Sequence, residues 1–106
     1  MNSRGFEEEA RISALLTAGI STPSSNFTIG STSTVVLSNC AAACTITLPT
    51  AVGISGRVLQ VKRTSSSAVT IATTSSQTID GASTVVLTTQ YANVDFISDG
   101  SNWSIE

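Results

Sequence analysis

Few residues of this chain could carry chemistry. It has two cysteines, seven acidic residues, five basic residues and no histidine. Without histidine, no side chain has an ordinary pKa near neutrality, so the usual general base is missing. A Ser-His-Asp triad cannot be assembled within one chain. Beyond Glu7-Glu8-Glu9 the carboxylates are Asp80, Asp95, Asp99 and Glu106. A glycosidase needs two carboxylates flanking a cleft. Asp80 and Asp99 each precede a glycine, where turn formation accounts for them. The residues therefore predict a protein that is not an enzyme and has no cofactor.

Cys40-Ala-Ala-Ala-Cys44 is the one thiol constellation. The spacing excludes a redox Cys-x-x-Cys pair, and a zinc site would need carboxylates or other subunits to complete its ligands. Two readings stay open. The cysteines close a short disulfide loop, with Val36 facing Leu48 and Ser38 facing Ile46 on antiparallel strands, or they are free thiols buried as small hydrophobes. Arg57, Lys62 and Arg63 form the only basic cluster. Aromatic residues are not interleaved with it, so no nucleic-acid partner is expected. The cluster reads as a solvated strand face or an intersubunit contact. Tyr91 and Trp103 are candidate ligand contacts, able to stack on a sugar ring, or else core and edge packing. Asn26-Phe-Thr28 and Asn102-Trp-Ser104 match the N-glycosylation pattern, but the acidic run at residues 7–9 interrupts any secretory leader.

These residues have to be positioned by strands. Residues 69–106 alternate apolar and polar between turn residues, and Asp99-Gly100 suits a two-residue type I′ hairpin. That hairpin would pair Ser98 with Ser101, Phe96 with Trp103 and Val94 with Ile105, all large residues falling on one side. Further alternations lie at 27–29, 35–37, 45–48, 56–63, 69–71 and 85–87. About eight short strands at roughly 8–12-residue spacing predict an all-β fold of antiparallel strands, sandwich or β-prism-like. One short N-terminal α-helix is expected over residues 5–19. Ser3 caps it, Glu7, Glu8 and Glu9 sit in its first turns, and Ile12, Leu15 and Leu16 form one face. A helix of about 15 residues is marginal alone, so that face serves oligomerisation or docking, or lies on the sheet. The organisation is then 1–20, a helix for docking or trimerisation; 21–26, a linker; and 27–106, the β head.

Composition narrows the class. Charged residues are 11% of the chain and the net charge is −2. Mean hydropathy is +0.26 and the isoelectric point is near 4.8. Ser and Thr together are roughly a third of the residues. The apolar residues are dispersed, and no run approaches the roughly 18 needed to cross a bilayer, so membrane insertion is not expected. So few charges leave little to hold copies of the chain apart.

Thr45-Ile-Thr-Leu-Pro49, then Gly56-Arg-Val-Leu-Gln-Val-Lys-Arg63, Val69-Thr-Ile71, Gln77-Thr-Ile-Asp-Gly81 and Ser98-Asp-Gly-Ser-Asn-Trp103 occur in that order. From about residue 35 to 106 the chain resembles the C-terminal β domain of tailed-phage and prophage tail-fibre or receptor-binding proteins. In that family a TITLP strand, a GR…IKR strand, a VTI…TIDG segment and a closing SDGxxW hairpin recur. The Cys40–Cys44 loop departs from the family's small polar turn, and the chain is short for a fibre. The resemblance implies a homotrimeric virion structural protein, made in the host cytoplasm without a signal peptide. Its N-terminal helix would bind other virion proteins, and its head a host-surface glycan through the loop at 73–77 and the tip around Tyr91. A capsid-decorating head fibre without receptor duty and a stand-alone carbohydrate-binding module are the alternatives.

Overall fold

A computed structural model describes residues 19–31 and 33–106 of the chain. The expected helix and its Ile12, Leu15 and Leu16 face lie outside them. The described part is all-β and contains nine strands. These are β1 (Ile20–Ser21), β2 (Phe27–Thr28), β3 (Val35–Ser38), β4 (Cys44–Thr47), β5 (Val58–Arg63), β6 (Val69–Ala72), β7 (Thr84–Leu87), β8 (Asn93–Ser98) and β9 (Trp103–Ile105). The sheet thus begins at Ile20, ahead of the segment read as the start of the head.

The strands form two mixed sheets, ordered β1-β3-β5-β8-β9 and β2-β4-β6-β7. This corrects the expectation of antiparallel strands throughout. From β1 to β6 the chain alternates between the sheets, and each strand lies parallel to the one two before it. It therefore winds as a short solenoid, one strand per sheet in each turn. Val35 pairs with Gln60 and Cys44 with Val69, an offset of 25 residues in both sheets. The first turn is shorter, since Ile20 pairs with Val35 and Phe27 with Ile46. β3 and β4 belong to different sheets, so the pairs Val36–Leu48 and Ser38–Ile46 do not form. The chain between them rounds a corner instead of reversing in a hairpin.

The core lies between the sheets and is built of stacked like residues. Val36 lies over Val61, Ile46 over Ile71 and Cys44 over Val69, all buried. Period-2 alternation produces this directly, because one constant offset along the ladder sets each inward side chain beside another inward one. Burying each such side chain contributes on the order of 1.5–3 kcal/mol. After β6 the winding stops. β7 returns antiparallel to β6, setting Val85 opposite Ile71. β8 runs antiparallel to β5, setting Phe96 opposite Leu59 and Val94 opposite Val61.

Two aspartate-glycine turns behave differently. At Asp80-Gly81 both residues have positive φ, 49° and 85°, and Ile79 and Ala82 exchange backbone hydrogen bonds of 2.7 and 2.9 Å. That is the type I′ geometry, and only glycine takes its second position without strain. At Asp99-Gly100 it does not occur. The β8–β9 register is Ser98–Trp103 and Phe96–Ile105, so the loop holds four residues and the expected pairing is shifted by two. An even shift leaves the inward faces unchanged. The wider loop is held by Asp99, whose carboxylate accepts the N–H groups of Ser101 and Asn102, each at 2.8 Å. It lets Trp103 reach the segment between β6 and β7, where its backbone N–H donates to the Thr78 carbonyl at 2.9 Å.

Arg63 is buried at the inward end of β5. Its guanidinium donates to the carbonyls of Ser65, Leu87 and Ser66. A buried cation is tolerable only when its donors are satisfied, and three carbonyls of the corner and of β7 do that here. The basic cluster is thereby divided. Lys62 faces out, Arg63 faces in, and Arg57 donates to the Gly30 and Ser33 carbonyls at 2.8 and 2.6 Å.

Ile46→Ala is expected to lower unfolding free energy by about 2–5 kcal/mol. Val86→Ala, on the outer face of the same sheet, should stay within about 0.5 kcal/mol. Urea titration followed by Trp103 emission measures both, and equal effects would refute the stacked core.

Candidate functional site

The corners of the winding stack as the strands do. Along one edge of the molecule lie the turns at 22–26, 39–43, 64–68 and 88–92. Asn39 N–H donates to the Pro23 carbonyl at 2.9 Å, Thr64 N–H to Ser38 at 2.8 Å, and Tyr91 N–H to Arg63 at 2.6 Å. The Gln90 side-chain amide adds a bond of 3.0 Å to the Thr64 carbonyl. The edge is thus a ladder of hydrogen-bonded loops.

Tyr91 is the outstanding residue of this edge. Its φ is 68°, unusual for a bulky residue, and its side chain is 63% exposed. Left-handed backbone at a non-glycine residue costs on the order of 1 kcal/mol or more, and here the bond to Arg63 holds it in place. The result is a phenol ring turned out to solvent with Lys62 Nζ 5.9 Å from its centroid. An aromatic face beside a cation can stack on a pyranose ring and hydrogen-bond its hydroxyls.

Trp103 is elsewhere and differently placed. It opens β9 beyond the opposite end of β8, is 1% exposed, and donates its indole N–H to the Pro49 carbonyl at 3.1 Å. A sugar has no access to this ring, so the two aromatic candidates are not brought together. The loop at 73–77 is likewise occupied with its own structure. Thr73 donates to the Gln77 carbonyl at 2.6 Å and Thr74 to Leu48 at 2.8 Å. Buried Gln77 accepts from Ala51 N–H and donates to Thr50, both at 2.8 Å. These groups shape the corner, while Ser75 and Ser76 of the same loop are exposed. The two glycosylation-like asparagines are also structural, with Asn26 accepting Thr45 N–H and Asn102 accepting Thr78 N–H, each at 2.9 Å.

Cys40 and Cys44 are joined as a disulfide, with Cα atoms 6.3 Å apart, at the corner where the chain passes from β3 to β4. The bridge ties the end of one sheet to the start of the other. The buried Ser38 hydroxyl lies 3.4 Å from one sulfur and 3.6 Å from the other. Beside it an open cleft of about 440 Å³ is lined by Ser24, Ser25, Asn26, the three alanines of the loop and Cys44. Among the described residues no three His, Cys, Asp or Glu side chains gather as metal ligands. No helix among those residues is long and apolar enough to cross a membrane.

The chain matches no known family profile and no curated protein.

Two outcomes follow from the loop chemistry. The N–H groups of Asn102 and Ser101 hold the Asp99 carboxyl below the ordinary aspartate value of 3.8. A depressed folded-state pKa contributes stability above the unfolded value, and that contribution is lost as pH falls through the folded value. Thermal melts from about pH 5 to about pH 2 should show a steeper acid loss for the native chain than for Asp99→Asn. Replacing both cysteines by serine should lower stability by about 2 kcal/mol or less, because the closed loop is short. A loss well above that, read by urea unfolding, would mean that the bridge holds more than its own corner.

Proposed function

We propose that the chain is a non-enzymatic virion structural protein, the β head of a homotrimeric fibre or appendage. In this reading the head presents a surface to a host glycan while residues 1–18 attach it to other virion proteins. The observation that carries it is the polarity of the winding. Parallel turns add along one axis, the chain enters beside β1 and β2, and at the other end the strands reverse and stop the stack. An elongated body held at one end and closed at the other suits an appendage that presents its sides and tip.

Tyr91 and Lys62, on the ladder of turns, are the glycan contact in this reading. Each site is weak, and three copies on one particle supply the avidity that a single ring and cation lack. The chemistry is binding without turnover.

Light scattering of the full chain is expected to give about three times 10.9 kDa. On a glycan array the trimer should bind, and Tyr91→Ala should lose about tenfold in affinity, the equivalent of one ring contact. A monomer that still binds sugar would overturn the appendage and favour a stand-alone carbohydrate-binding module. A trimer that binds capsid subunits and no glycan would be a capsid-decorating fibre.

A further inference from the structure

Charge is spread unevenly over this protein. The net charge is −2, yet the four stacked turns at 22–26, 39–43, 64–68 and 88–92 contain no acidic residue. Where the five-stranded sheet meets this edge, Leu37, Lys62 and Asn93 lie side by side on its outer face. Among the described residues the basic side chains are Arg57, Lys62 and Arg63. Arg57 and Arg63 spend their guanidinium donors on backbone carbonyls. Lys62 does not. Its ammonium stands 5.9 Å from the centroid of the exposed Tyr91 ring and makes no ion pair among the described residues. On this face Asp95 lies opposite Gln60, two residues along the strands from the Lys62 row, which is about 7 Å. Its Oδ1 is enclosed and without a partner among the described residues. Asn93, directly opposite Lys62, is exposed. The edge therefore combines a ring, an ammonium and an amide with no acid in its turns.

We propose that Tyr91, Lys62 and Asn93 form a subsite for an acidic sugar, a pyranose bearing a carboxylate, sulfate or phosphate group. The proposal rests on the glycan-binding reading above and adds the charge of the sugar. Three observations select an anion. The ring of Tyr91 offers stacking area to neutral and charged sugars alike, so selection between them falls to the ammonium beside it. That ammonium carries three donors and no carboxylate partner among the described residues, and a sugar stacked on Tyr91 covers it. Covering a cation with a neutral ring costs desolvation free energy, whereas an anionic substituent offsets that cost with a charge-assisted hydrogen bond. The turns around the subsite hold no carboxylate to repel the anion, although the chain as a whole is acidic. Asn93 supplies an amide able to donate to, or accept from, a ring hydroxyl.

The test is a glycan array probed with the full chain. Sugars bearing a uronic or sialic carboxylate, a sulfate or a phosphate ester are each placed beside the same sugar without the charge. The acidic member of at least one class should bind about threefold to fivefold more tightly per site, the strength of an exposed ion pair. Raising salt from about 0.05 to about 0.5 M should erase that difference. The class that binds tells carboxylate, sulfate and phosphate apart. Lys62→Gln should abolish the preference. Asn93→Asp keeps the lysine but sets a carboxylate opposite it, and should abolish the preference as well. Thr84→Glu, on the other sheet, lowers the net charge by the same unit and should retain it. Emission from buried Trp103 reports folding of every variant. If uncharged sugars bind as tightly as their acidic partners, or the preference survives either Lys62→Gln or Asn93→Asp, this subsite is overturned and the glycan reading stands. Loss of the preference in Thr84→Glu would be an effect of net charge alone and overturns it too. If the chain binds no glycan on the array, both readings fall together.

Discussion

The parallel stacking of the turn from β3 to β4 on the turn from β5 to β6 supports everything else in this molecule. The offset is the same in both sheets, and it holds through the corner, where Thr64 bonds to Ser38 and Cys44 to Ala68. A constant offset lets backbone and core agree at once. The same ladder places Val36 on Val61 and Ile46 on Ile71. Neither sheet could bury its apolar face alone, and the winding forms both faces in the same pass of the chain.

That constraint determines what the corners can be. A corner must turn the chain from one sheet to the other without leaving buried backbone groups unpaired. The chain meets this need with side chains that bond to the backbone. Arg63 serves three carbonyls at one corner, and Gln77 serves Ala51 and Thr50 at another. The buried Ser98 hydroxyl donates to the Ala51 carbonyl at 2.7 Å. This explains the composition. Many of the hydroxyls and amides are consumed in holding loops, and few charges are needed because the loops are satisfied from within. The disulfide belongs to the same set of devices, fixing the corner at which β3 leaves one sheet and β4 joins the other.

The surface then divides by chemistry. One edge is a ladder of turns ending at Tyr91, whose backbone is held in an unusual conformation so that the ring points outward. The outer face of the five-stranded sheet mixes Val35, Leu37, Val58 and Ile97 with Gln60, Lys62, Asn93 and Asp95, whose Oδ1 has no hydrogen-bond partner among the described residues. The outer face of the other sheet carries Thr45, Thr47, Thr70 and Thr84 together with exposed Val86.

The amino-acid sequence by itself determined where the strands lie and which way their side chains face. Alternation at 35–37, 45–48, 58–63, 69–71 and 94–98 is a local property, and the inward residues it marks, such as Ile46, Leu59, Val61, Ile71 and Phe96, are buried. β1 was not legible, because two residues carry no period. Partnership was decided only by the tertiary structure. Period-2 alternation is identical for a parallel and an antiparallel neighbour, so a cysteine loop that reads as a hairpin can equally be a corner. The repeat of Thr45-Ile46 at Thr70-Ile71 was the one signal of parallel stacking available in the chain. Register at Asp99 was likewise settled at a distance, by Trp103 bonding to Thr78 and Pro49 on the opposite layer. Of the candidate contacts, Tyr91 and Trp103 are chemically alike as residues. The burial of one and the exposure of the other follow from their places in the winding, which no local pattern encodes.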